Sequence, residues 1–165
     1  MSDNLAIVNR IIEEHHKIRG HTKLVGDSVS DLEALFTLQR ARPDLILSSP
    51  EALLEKLGKL QQTISFLDEG LKNHFSFEEI YLPPLLGEVL MRALALEHQG
   101  IRRKINEARA TVAETKPERL DQKELPSQKY RIQQAIEGIL QVNEKHIQRE
   151  ETLLNMLKEA LEAGG

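Results

Sequence analysis

Two short patterns each occur twice in this chain, and their fixed positions hold four of its six histidines. Glu14-His15-His16-Lys17-Ile18-Arg19 and Glu97-His98-Gln99-Gly100-Ile101-Arg102 both read E-H-x-x-I-R. His74-Phe75-Ser76-Phe77-Glu78-Glu79 and His146-Ile147-Gln148-Arg149-Glu150-Glu151 both read H-x-x-x-E-E. Only His16 and His21 fall outside the scheme. On a helix, an i, i+4 spacing stacks His74 over Glu78 and His146 over Glu150 on one face.

Helical periodicity accounts for nearly the whole chain, and no segment alternates like a strand. Leu, Ile, Ala, Glu, Lys and Gln dominate, while aromatics are 4% and tryptophan is absent; these are helix-forming residues. A first helix is expected from a cap at Ser2 or Asp3 to about Ala41, with Leu5, Val8, Ile11, Ile12 and Ile18 inward and weak points at Gly20 and Gly26. Arg42 to Ser49 reads as a connection. Ser49-Pro50 reads as a cap followed by proline at the first helical position. The second helix carries Leu53, Leu57, Leu60, Ile64, Leu67 and Leu71 and ends near Pro83-Pro84. A third runs from about Gly87 to Ala113, with Leu90, Leu94, Ile101 and Ile105 inward. After a polar connection from Glu114 to Leu125, a fourth runs from about Pro126 to Ala163 through Ile132, Ile136, Ile139 and Leu153. Four helices with fairly short connections imply an all-α, up-down-up-down antiparallel four-helix bundle, with residues 1–165 as one domain.

The repeated histidines fall on the apolar stripes. His74 aligns with Leu67, Leu71, Phe77 and Tyr81, and His146 with Ile139, Val142 and Leu153. His98 aligns with Met91, Leu94, Ile101 and Ile105. His15 shares its face with Val8, Ile11, Ile12 and Ile18, whereas His16 sits with Asn9, Glu13 and Lys23. His15 is therefore the inward member of that pair, with His16 as the fallback if the helix rotates. Counting from the helix ends at 1.5 Å per residue puts all four histidines within roughly 10 Å of one level.

A single H-x-x-x-E on a helix is usually a surface pair. Four histidines and two carboxylates converging on one buried layer are different, because buried unpaired carboxylates cost several kcal/mol each and repel one another. A cation removes both penalties. Imidazole and carboxylate suit iron, zinc, copper or manganese, and with no cysteine there is no thiolate to bias the choice. Six ligands exceed one tetrahedral zinc and suit two metals bridged by carboxylates. Ferritin-like di-iron bundles use paired Glu-x-x-His motifs. Here there is one, Glu13 to His16, and it lies on the polar side.

The two E-H-x-x-I-R segments, with H-F-S-F-E-E-I-Y-L-P-P-L-L and H-I-Q-R-E-E-T-L-L, resemble the hemerythrin or HHE cation-binding family over nearly the whole chain. The resemblance implies a hemerythrin-like bundle holding two iron ions, with zinc or manganese as secondary occupants. It implies that His15 and His74 bind one iron, that His98 and His146 bind the other, and that Glu78 and Glu150 bridge them beside an oxo or hydroxo oxygen. Oxygen-carrying members have H-x-x-x-H on the third helix, where this chain has Arg102. The resemblance then implies an open position on the second iron, fitting O₂ or NO binding or sensing better than simple oxygen carriage. Family members that repair iron clusters carry an N-terminal cysteine segment with no counterpart in this sequence.

Glu79 and Glu151 are expected to be solvated or interhelical charges and not metal ligands, and Glu14 and Glu97 to be surface residues, with a role orienting an imidazole as the lesser alternative. Tyr81 is expected to pack in the core. Gly70, four residues before His74, is expected to leave a side-chain-sized gap above the site. His21 is expected to be structural or exposed.

The net charge of −4 argues against nucleic acid or an anionic membrane as partner, and no apolar run reaches membrane-spanning length. Residues 1–10 lack a signal-peptide pattern, giving a cytoplasmic expectation. Three functions compete. The first is a di-iron protein binding or sensing O₂ or NO. The second is a redox enzyme acting on peroxide or NO, with electrons from a partner protein. The third is a metal-stabilised interaction module, monomeric or weakly dimeric through Phe36 and Leu38. Because imidazole must be neutral to coordinate, metal retention should weaken as pH falls through the histidine range.

Overall fold

The computed structural model describes residues 3–41, 50–117 and 123–164. Five helices follow in chain order: α1 (Asp3–Ala41), α2 (Pro50–Tyr81), α3 (Pro83–Leu86), α4 (Glu88–Glu114) and α5 (Leu125–Gly164). Among the described residues there is no strand, and no helix is long and apolar enough to cross a membrane. Asp3 and Pro50 open their helices as the sequence reading expects. Ser2, the connection at 42–49 and residues 118–122 of the second connection lie outside the described residues.

Gly20 and Gly26 do not interrupt α1, which is one continuous helix. Tertiary packing overrides the glycine penalty: Ile18, Val25, Val29 and Leu32 on both sides are buried in the core. At the far end of α2, Leu82 N still donates to Glu78 O at 2.9 Å, and Pro83 then starts the single turn α3. Gly87 closes that turn with φ 82°, a conformation suited to glycine, and caps α4.

The long helices form an antiparallel helical bundle. Along α1 and α2, Glu14 meets His74 and His21 lies on Gly70, so the numbering of one helix rises as the other falls. The same crossing of numbers holds for α2 with α4, where Glu79 meets His98 and Asp68 meets Arg109. It holds for α4 with α5, through Glu97–His146 and Glu114–Arg131. It holds for α5 with α1, through Glu151–His15 and Lys129–Thr37.

Two apolar clusters fill the interior. The larger includes Ile18, Leu60, Ile64, Leu67, Phe75, Ile101 and Ile139; the smaller includes Val8, Ile11, Leu82, Met91, Leu94 and Leu154. Ile64 and Ile105 are fully buried in the larger cluster. Truncating either to alanine would cost about 2–5 kcal/mol, the lost transfer energy plus the cavity left behind.

Ile132, Ile136, Ile139 and His146 of α5 are buried as expected, but at two positions the buried residue comes one later than the apolar pattern suggests. Leu154 is buried where Leu153 is expected, and Asn143 is buried where Val142 is expected. A polar residue at the centre of the face hid its true register. Phe36 is also a correction, since it is buried in the core and offers no dimer surface.

Candidate metal centre

Each long helix delivers one histidine to the layer between the two apolar clusters. α1 brings His15, α2 His74 and Glu78, α4 His98, and α5 His146 and Glu150; all six are buried. Their donor atoms form two sets, each mutually within 4.8 Å: His15, His74, Glu78 and Glu150, and Glu78, His98, His146 and Glu150. Both carboxylates belong to both sets. Glu78 Oε1 lies 2.5 Å from His74 Nε2, and Glu78 Oε2 lies 3.1 Å from His98 Nε2. Glu150 Oε1 lies 3.0 Å from His15 Nε2, and Glu150 Oε2 lies 3.2 Å from His146 Nε2.

These close approaches are mostly not hydrogen bonds. His74 Nε2, His98 Nε2, His146 Nε2, both oxygens of Glu78 and Glu150 Oε2 are buried without an aligned partner. Buried polar atoms are normally satisfied. Nitrogen and oxygen donors that converge without pairing fit cations, and this donor set suits a borderline metal such as iron, zinc or manganese.

The outer nitrogens of the same rings are all engaged, so the flanking glutamates take the lesser of the expected roles and orient the imidazoles. His74 Nδ1 donates to Glu14 at 2.8 Å, His98 Nδ1 to Glu79 at 2.9 Å, His146 Nδ1 to Glu97 at 2.7 Å and His15 Nδ1 to Glu151 at 3.2 Å. A carboxylate can only accept, so each contact keeps a proton on Nδ1 and turns the Nε2 lone pair inward. The four contacts close a ring around the bundle, each helix holding the histidine of the next. Arg10, Arg149 and Arg19 in turn pair with Glu14, Glu97 and Glu151. The sequence signal was the glutamate directly beside a ligand candidate on every helix.

Electrostatics follow from this crowding. Burial opposes charge on His15, but Glu150 and Glu78 outweigh it and raise its pKa to about 9. Burial likewise opposes charge on His74 and His146, yet Glu78 and Glu150 respectively raise them. For Glu78, burial favours the neutral acid, but the imidazoles of His15, His74 and His98 hold it well below the usual carboxylate range. The centre therefore attracts positive charge, as protons or as metal.

Other expectations change. Tyr81 is 45% exposed and packs on Phe77 with ring centroids 4.5 Å apart. The heptad drift of a straight helix moves it off the core face, and Leu82 takes the inward position. A cavity lined by His21, Gly70, Asn73 and His74 opens beside the site, with the His21 ring 3.5 Å from where a Gly70 Cβ would stand. His16 and Arg102 are exposed and away from the layer.

A helical bundle with two buried histidine–carboxylate sets defines a metal-binding protein. The chain belongs to the hemerythrin HHE cation binding domain family, whose model matches residues 6–157. No curated protein and no solved structure matches the chain.

Proposed function

We propose that the chain is a single hemerythrin-like domain that holds two iron ions and binds or senses O₂ or NO. The observation that carries the reading is the pair of four-donor sets sharing both Glu78 and Glu150. One ion would take His15 and His74, the other His98 and His146, and each carboxylate would give one oxygen to each ion. Four protein donors leave each ion open positions for a small ligand, as 2-His-1-carboxylate iron sites do. Bound iron supplies redox change and ligand affinity. The chain's own residues orient the imidazoles through the outer carboxylates and exclude bulk water with the two apolar clusters.

The test is metal content per chain by mass spectrometry, followed by visible spectra with azide on the oxidised protein and NO on the reduced protein. About two irons per chain and ligand-dependent bands support the reading. One zinc, or two irons indifferent to both ligands, refutes it.

A further inference from the structure

Asn143 is fully buried, and neither its Nδ2 nor its Oδ1 has a hydrogen-bond partner. Among the described residues, it is the one side chain outside the six candidate ligands with such atoms. It lies three residues before His146 and seven before Glu150, on the face that carries both.

The layers flanking the centre sharpen the anomaly. On one side, the buried positions three or four residues from the candidate ligands are Ile11, Leu82, Leu94 and Leu154, all apolar. On the other they are Ile18, Leu71, Ile101 and Asn143, also buried. Asn143 is thus the lone polar residue among these buried positions. The internal repeat supplies a control: Leu71 precedes His74 and Glu78 by the same three and seven residues and is buried. Packing at this position is met by leucine, of similar size, so an amide that leaves two groups unsatisfied is not required by the core.

We propose that Asn143 faces the small ligand of the metal pair and donates its Nδ2–H to that ligand's lone pair. The inference rests on the ligand-binding reading above and adds the side on which the ligand sits, between the centre and the larger apolar cluster. Such a donor favours ligands whose outer atom carries negative charge. Asn143 is a positioning residue for the ligand, not a metal ligand.

Full-length wild type and N143L, both iron-loaded, would be titrated with azide in the oxidised state and NO in the reduced state. Thermal unfolding of both metal-free proteins would be measured alongside. The expected result is metal content equal to wild type, azide and NO affinities weaker by about tenfold, and a metal-free melting temperature equal or higher. Tenfold corresponds to about 1.4 kcal/mol. Unchanged affinities overturn the proposal, as does a lower metal-free stability with unchanged affinity, which marks a structural amide. Should N143L fail to fold, N143A removes the same donor: weaker affinity supports the proposal, and unchanged affinity overturns it. Wild type that binds neither probe refutes the ligand-binding reading itself.

Discussion

Replacing Glu97 by glutamine tests whether the outer carboxylates hold the imidazoles ready for metal. Glu97 accepts from His146 Nδ1 at 2.7 Å, the shortest of the four contacts, and Arg149 holds its other oxygen at 2.8 Å. Glutamine keeps the shape and one acceptor but loses the charge. Carboxylate partners of metal-bound histidines are worth about 10–100-fold in metal affinity, or roughly 1.4–2.7 kcal/mol. Glu97 should lie in the upper half of that range, because its side chain is only 26% exposed and water screens it little. Glu14, at 2.8 Å and 23% exposed, should behave alike. Glu79 makes the same contact at 2.9 Å but is 48% exposed, so E79Q should cost only a few-fold. The assay is competition for Fe(II) against a chromogenic chelator, using wild type and each variant with matched circular dichroism. Equal affinities throughout would refute the orienting role. A loss as large in E79Q as in E97Q would refute the ranking by burial.

Removing one bridging candidate should weaken both ions, whereas removing one histidine should spare the opposite set. Metal analysis should therefore find fewer ions in E78Q than in H98A, which keeps His15, His74, Glu78 and Glu150. In the metal-free protein, His15 titrates near 9 instead of 6.5, so its stabilisation is complete below pH 6.5 and is lost as pH rises through 9. Melting temperature of chelator-treated protein should fall over that window while metal affinity rises, since metal displaces the proton; parallel trends would contradict this. Glycine in a helix interior is costly, and a methyl at position 70 would meet His21 at an ordinary 3.5 Å. G70A should raise stability by about 0.5–1 kcal/mol in denaturant unfolding, with metal content unchanged.

The bundle was legible because periodicity marks which residues turn inward, and Leu60, Ile64, Ile101 and Ile105 on the expected faces are all fully buried. The convergence of the six candidate ligands in one buried layer was legible because they sit on those same faces in duplicated motifs. What failed were positions where type and location disagree. Asn143 broke the apolar stripe of α5, so the register shifted onto Val142 and Leu153. Tyr81 followed the heptad after the helix had drifted away from it. Gly70 marks a cavity beside His74, but no local pattern reports that the His21 ring of another helix narrows it.

The ring of outer glutamates was hidden for a different reason, and geometry recovers it. A residue adjacent to an inward one is rotated about 100°. In an isolated helix that direction is solvent; in a bundle it is the side of the neighbouring helix. On α1 and α4 the glutamate precedes the histidine, as Glu14 and Glu97; on α2 and α5 it follows the ligand glutamate, as Glu79 and Glu151. Because α2 and α5 run opposite to α1 and α4, a step back on one pair and a step forward on the other rotate in the same sense around the bundle axis. All four glutamates therefore point toward the next helix in one direction, and each meets a histidine there. The two motifs, E-H and E-E, are one geometric instruction written for two chain directions. A glutamate moved to the other side of its ligand, from position 14 to position 16, would turn the opposite way and leave His74 without its acceptor.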